Sequence, residues 1–141
     1  MVQSRLRALD VWVDGTEIHD GSGLSRQTRV SADTLARVLR LAAQKTHPEL
    51  RAVITGLPVA GVEGSLQTRF FDGASVAGRG LVRGKTGTLS NAHALAGLVR
   101  TRDGSVLIYA FLVNDPESQY AARAWLDQVS TALSACGCRT K

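Results

Sequence analysis

Residues 78–99 read GRGLVRGKTGTLSNAHALAGLV, and whether they pair as strands or wander as loop decides the fold. Leu81 and Val82 lead straight into Lys85-Thr86-Gly87-Thr88, so the tripeptide Lys-Thr-Gly falls at a strand end, followed by a bend. A second apolar run, ALAGLVRT, follows within a few residues, and a third, VLIYAFLVN, lies beyond Asp103-Gly104. Asp-Gly favours positive φ at both turn positions, which predicts a tight hairpin between the second and third runs. The third run is apolar on both faces, as expected of a central strand covered on both sides.

Upstream, Ser31 is placed to cap a helix over residues 32–44. Leu35, Val38, Leu39, Ala42 and Ala43 share one face of it, with Arg37, Arg40 and Gln44 opposite. Residues 3–9 suggest a short helical piece, and VWVDGTEIHDGSGLS suggests strand and loop. From Thr46 to Gly80 repeated Gly and Pro break any long element, so this stretch is expected to drape over the fold. Downstream, Asp115 as N-cap, Pro116 at the first helical position and Glu117 in the first turn predict a last helix. Its buried stripe is expected at Ala122, Trp125, Leu126, Val129 and Leu133, with Gly137 ending it. The fold class that emerges is α+β, an antiparallel sheet with packed helices.

At 141 residues the chain has the size of one domain, and 44% hydrophobic with 21% charged residues is a globular composition. No apolar run approaches a membrane span, and MVQSRLRALDVWV lacks the apolar core of a secretory signal. The net charge of +5 comes from dispersed arginines with few aromatics among them, which argues against nucleic acid as a partner. Cys136 and Cys138 stand too close for an unstrained mutual bridge. They also supply too few ligands for structural zinc, so neither metal nor cofactor is expected. His19, Asp20 and Ser22 crowd together without a Gly-x-Ser-x-Gly elbow, a poor match to a Ser-His-Asp hydrolase.

The Lys-Thr-Gly strand has a chemistry of its own. A peptide with a terminal carboxylate can lie antiparallel along such an edge. Gly87 lets a backbone approach closely, Thr86 and Thr88 offer hydroxyls, and Lys85 adds positive charge. The Thr88 N–H is positioned to stabilise a developing oxyanion.

Four blocks in order, DGSGLSRQTRVSADTLARVL, LPVAGVEGSLQTRF, GKTGTLSNAHALAGLV and DGSVLIYAFLVND, resemble the C-terminal part of the D-alanyl-D-alanine carboxypeptidase/endopeptidase family. These are class C low-molecular-mass penicillin-binding proteins. The resemblance runs from about Leu6 to about Leu133. It implies the C-terminal part of a penicillin-binding/β-lactamase-like transpeptidase domain and a serine-type, acyl-enzyme peptidase. The implied partners are peptidoglycan stem peptides ending in D-Ala-D-Ala, together with β-lactams once the missing half is supplied. The implied location for the full-length protein is extracytoplasmic.

By that resemblance Lys85 is catalytic, Thr86, Gly87 and Thr88 bind substrate, and Leu89 and Ser90 face the substrate side chain. Ser25 is implied as the proton-relaying hydroxyl of a Ser-x-Asn-type element, with Gln27 standing where the family carries Asn. The same Ser25 also reads as a turn serine beside Gly23. Leu57 and Val59 are expected as apolar contacts on one cleft wall. The family's Ser-x-x-Lys nucleophile has no match: Ala42, Val82 and Cys138 stand three residues before Lys45, Lys85 and Lys141. The expectation is therefore a partial domain over 1–141, a fragment inactive on its own. The alternatives are a non-catalytic D-Ala-D-Ala-binding relative and a truncated remnant.

Overall fold

A computed structural model describes residues 1–136. Its elements in order are α1 (Val2–Ala8), α2 (Ala32–Ala42), α3 (Arg51–Thr55), β1 (Val82–Leu89), β2 (Ala92–Arg100), β3 (Val106–Asn114) and α4 (Gln119–Ala132). The strands form an antiparallel meander in the order β1-β2-β3. The α+β class read from the sequence is the fold observed.

Period-two alternation fixes the sheet's two faces. His93, Leu95, Gly97 and Val99 of β2 are buried on one face. Their cross-strand partners Val82, Gly84, Thr86 and Thr88 on β1, and Leu107, Tyr109, Phe111 and Val113 on β3, share that face. Here Leu126 of α4 joins Val82, Leu95, Val99, Tyr109, Ala60, Leu66 and Phe70 in one core. Full burial of Leu66 and Phe70 contributes roughly 2–3 kcal/mol each. Both residues belong to the stretch between Thr46 and Gly80, which folds as short helical turns joined by loops. That stretch was expected to drape over the fold; instead it supplies Leu66 and Phe70, the two largest fully buried side chains, because its turns bring apolar residues inward between glycines.

The opposite face of the sheet meets α2, which contacts β3 and β2. Ser31 caps α2 as expected, its hydroxyl accepting from the Thr34 amide at 3.1 Å. Leu39 and Ala42 are buried, Leu35 and Val38 half-buried, and Ala43 is exposed just past the helix end. The stretch VWVDGTEIHDGSGLS holds no strand. It makes a single antiparallel bridge, Glu17 to Arg29, and otherwise runs as turns.

Two glycines set the spacing of the sheet. Gly84 and Gly97 face each other across β1 and β2, and Tyr109 stands opposite Gly97 on β3. A Cβ on Gly84 would lie 2.5 Å from the Tyr109 hydroxyl, and one on Gly97 would lie 2.0 Å from the Arg83 carbonyl oxygen. The bare backbones thus leave a slot for the tyrosine. Its hydroxyl crosses β2 and donates to the Arg83 carbonyl at 3.0 Å, tying β3 to β1. Burial in this slot pushes the phenol pKa well above its ordinary value.

Three local expectations are corrected. β3 has a sheet neighbour only in β2 among the described residues, so its two apolar faces belong to an edge strand, not a central one. The β2–β3 connection is a five-residue loop, residues 101–105: Gly104 alone takes positive φ (84°), and its amide donates to the Thr101 carbonyl at 3.0 Å. Asp103 does not take positive φ, and its carboxylate accepts from the Thr101 hydroxyl and from the Ser105 amide at 3.1 Å. The last helix begins later than expected. Asp115 sits at φ 47° with its amide donating to the Asn91 carbonyl at 2.7 Å, so it turns the chain instead of capping. Ser118 caps α4, accepting from the Ala121 amide at 3.3 Å. The buried stripe of α4 is Ala122, Leu126, Asp127, Ser130 and Thr131, while Trp125 is 48% exposed. Gly137 and Cys138 lie outside the described residues.

Candidate functional site

The edge of β1 away from β2 changes character at Lys85. Up to Gly84 it is closed: the Ala60 amide donates to the Val82 carbonyl at 2.9 Å, and the Gly84 amide donates to the Pro58 carbonyl at 3.0 Å. Val59 and Arg83 form an isolated antiparallel bridge there. Beyond this point no backbone segment pairs with the edge among the described residues. Backbone groups of an antiparallel strand alternate in direction with period two. With Val82 and Gly84 pointing outward, the amides and carbonyls of Thr86 and Thr88 point outward as well, into open space.

The side chains around this open half come from three sources. Lys85 is exposed, and its ammonium donates to the Thr86 carbonyl at 2.9 Å. The Thr86 hydroxyl donates to the Ser65 hydroxyl at 3.0 Å. Ser65 is held by a turn in which the Gly61 amide donates to the Leu66 carbonyl at 3.0 Å. Gly87 is exposed, and a Cβ there would press on the Ala94 methyl at 3.2 Å, so bareness suits both the sheet and an approaching chain. Leu57 and Val59, expected on a cleft wall, are buried in the protein. Their segment shapes the edge through its backbone, because the Pro58–Ala60 peptide groups terminate the closed half.

A loop from residues 20–28 forms the second wall. Asp20 organises it, accepting from the Leu24 amide at 3.0 Å, the Ser25 amide at 3.2 Å, the Thr28 hydroxyl at 3.2 Å and the Ser22 hydroxyl. Led by the Ser22 hydroxyl, these bonds hold the Asp20 pKa down at about 2. From this loop Arg26 reaches the β1–β2 turn, donating to the Ser90 hydroxyl at 2.5 Å and to Asn91 Oδ1 at 3.5 Å. Asn91 in turn donates to Asp115 at 3.4 Å.

Ser25 is half-buried, and its hydroxyl accepts from the Gln27 amide at 3.3 Å, a local turn contact. No hydrogen bond joins Ser25 to Lys85. Gln27 is exposed. Thus Lys85, Thr86, Gly87 and Thr88 are together on one edge, Ser90 meets the second wall, and Ser25 and Gln27 lie on that wall without touching Lys85. Sequence reasoning missed Arg26 and Ser65. Both stand inside the quoted blocks DGSGLSRQT and GVEGSLQTRF, the only signal that could have found them.

Behind the edge, on the face shared by Thr86 and Thr88, a cleft of about 420 Å³ opens between β1, residues 65–72 and α4. Its wall includes a bidentate pair, Arg69 to Asp127, at 2.6 and 3.3 Å with side chains 15% and 10% exposed. Burial pushes the Asp127 carboxyl above its usual range, and Arg69 works against that push. His93, 1% exposed, stands across from Thr88, and neither ring nitrogen has a hydrogen-bond partner. Burial, aided by Arg123 and Arg69, lowers its pKa and keeps it neutral. Among the described residues no group of His, Cys, Asp and Glu has the geometry to hold a metal, and no helix is long and apolar enough to cross a membrane.

Known proteins are similar to this chain over nearly its whole length. The carboxypeptidase DacB of Mycolicibacterium smegmatis is 38% identical over 138 residues, covering 97% of this chain and 30% of that protein. The D-alanyl-D-alanine carboxypeptidase of Actinomadura sp. strain R39 is 35% identical over 138 residues, 94% of this chain and 24% of that protein. Penicillin-binding protein 4 of Haemophilus influenzae superposes with a TM-score of 0.75 at 28% identity, covering 94% of this chain and 29% of that one. The chain therefore spans about a third or less of the length of the proteins it resembles. The family model for D-Ala-D-Ala carboxypeptidase 3 (S13) matches residues 1–133. With that match over most of its length, the chain belongs to the D-Ala-D-Ala carboxypeptidase 3 (S13) family.

Proposed function

We propose that this chain is the substrate-docking part of a serine-type D-Ala-D-Ala carboxypeptidase/endopeptidase domain, one that forms an acyl-enzyme with peptidoglycan stem peptides and binds β-lactams. The observation that carries this reading is the edge of β1, closed by Pro58 and Ala60 as far as Gly84 and open from Lys85 onward. A peptide ending in D-Ala-D-Ala adds antiparallel to the open half. Its carboxylate takes the Thr86 and Thr88 hydroxyls, the Lys85 charge lies close by, and the outward Thr88 amide faces the scissile carbonyl. Leu89, Ser90 and Gln27 border the substrate's side chains, and Ser25 relays a proton to the leaving amine.

No serine stands three residues before a lysine in this chain. The nucleophile accordingly belongs to a part of the full-length, extracytoplasmic protein outside residues 1–141, and these residues alone form a partial domain. Losing a nucleophile removes nearly all of such a constellation's rate enhancement. The test is twofold, on the 141-residue chain. Calorimetry with a D-Ala-D-Ala peptide should register binding that Thr86→Val abolishes, and a fluorescent penicillin should leave the chain unlabelled. Absence of peptide binding would sink the docking role; covalent labelling would sink the assignment of the nucleophile elsewhere.

A further inference from the structure

The Thr86 hydroxyl, one of the groups proposed to take the substrate carboxylate, is already engaged in the free chain. It donates to the Ser65 hydroxyl at 3.0 Å. A hydroxyl carries one proton and two lone pairs. With that proton directed at Ser65, Thr86 turns only lone pairs elsewhere, the wrong polarity for a carboxylate. Neither hydroxyl has a second hydrogen-bond partner among the described residues. The Ser65 proton is therefore free to rotate, and the polarity of the pair is reversible.

Ser65 is exposed, yet the fold holds it firmly. It lies in the short turn Gly64–Leu66, closed by the Gln67 amide donating to the Gly64 carbonyl at 3.1 Å. The adjacent Leu66 is fully buried in the core that also holds Val82 of β1. Upstream, Arg79 stacks 4.4 Å from the Phe71 ring centroid and donates to the Gly61 carbonyl at 3.3 Å. Turn and strand are thus anchored in one core, and packing brings the two hydroxyls together across 21 positions.

We propose that Ser65 is a positioning residue for docking: it fixes the Thr86 side chain in the free chain and reverses to donate to Thr86 when Thr86 donates to a peptide carboxylate. The reversal rests on the docking role proposed for β1; the pairing does not. In the bound state the order of donation runs from Ser65 to Thr86 to carboxylate, each bond polarising the next. A charged acceptor draws on this chain more than a neutral one does.

The test has two arms on the 141-residue chain. Without ligand, three-bond NMR couplings should show Thr86 in one χ1 rotamer, averaged over several in Ser65→Ala and restored in Ser65→Thr. With ligand, calorimetry compares a D-Ala-D-Ala peptide with its C-terminal amide. Ser65→Ala should weaken the free acid about fivefold, the scale of one neutral hydrogen bond. The amide should lose less, so the preference for the acid narrows, and Ser65→Thr should restore it. A structural role alone would weaken both ligands alike. A single Thr86 rotamer in Ser65→Ala, or equal or absent losses for the two ligands, would overturn the proposal. Should the unaltered chain bind neither peptide while Ser65→Ala still frees Thr86, the docking role falls, and the reversal with it, while the pairing stands.

Discussion

The slot formed by Gly84 and Gly97 makes a sharp prediction about what holds β1 in place. In Gly84→Ala the new methyl carbon falls 2.5 Å from the Tyr109 hydroxyl oxygen and 3.0 Å from Leu95 Cδ1. The hydroxyl has to move, which gives up its 3.0 Å bond to the Arg83 carbonyl. Overpacking of this kind costs about 1–3 kcal/mol and the lost neutral hydrogen bond about 1 kcal/mol, for a total of about 2–4 kcal/mol. Tyr109→Phe alone loses only the hydrogen bond, about 1 kcal/mol. Since the nearest clashing atom is the hydroxyl that Tyr109→Phe removes, the double variant should be more stable than Gly84→Ala plus Tyr109→Phe would sum to, by about 1–2 kcal/mol. Urea denaturation followed by circular dichroism measures all four corners of this cycle. Additive free energies would show that the tyrosine hydroxyl does not fill the glycine slot, and the account of how β3 positions β1 would fall with them.

Arg69→Met should destabilise the fold by about 3 kcal/mol, because it strands the Asp127 carboxylate in a place only 10% exposed. Arg69→Met with Asp127→Leu should recover most of that loss in the same denaturation assay. Asp20 predicts an acid sensitivity of the 20–28 loop. Its folded pKa of about 2 lies below the ordinary 3.8, so its stabilisation is complete above about pH 4 and disappears as pH falls through about 2. Hydrogen exchange at the Leu24 and Ser25 amides should accelerate over that window, and Asp20→Asn should remove the pH dependence. His93 has its folded pKa lowered by burial. Its contribution is therefore present above its ordinary pKa and weakens as pH falls below it, and NMR should find the ring still neutral where an exposed histidine is half charged.

Strands and the α2 cap were legible because each depends on nearby residues: alternation along β2, a serine before an apolar stripe at Ala32–Ala42. What the sequence concealed depends on distant partners. Asp115 looks like a helix cap until the Asn91 carbonyl, 24 positions earlier, claims its amide. Trp125 looks buried on a helical wheel, but the face of α4 that turns inward holds Asp127, and Arg69 satisfies that charge from 58 residues away. The candidate site divides in the same way. Lys85, Thr86, Gly87 and Thr88 form a contiguous strand, visible as a motif, whereas Arg26 joins Ser90 across 64 positions. Ser65 joins Thr86 across 21. No periodicity announces such pairs.

The half-closed edge explains why this motif occupies a strand and not a loop. An exposed strand edge along its whole length invites pairing with any other chain. Here Ala60 and Pro58 take up the Val82 carbonyl and the Gly84 amide, and from Thr86 onward no backbone segment pairs with the outward groups among the described residues. Thr86 and Thr88 also place their side chains on the cleft face, toward Ser65 and α4, while Lys85 and Gly87 point to the other face of the sheet. A docked chain therefore meets backbone groups along the edge, hydroxyls on one side and a bare glycine beside a lysine on the other. Each of these is fixed by the same register that buries Val82 and Leu95. Moving β1 by a single residue relative to β2 would turn Thr86 and Thr88 away from the cleft and bury Lys85 in their stead. The Gly84–Tyr109 slot resists that slip, so packing four residues upstream of Thr88 sets which groups the edge can offer.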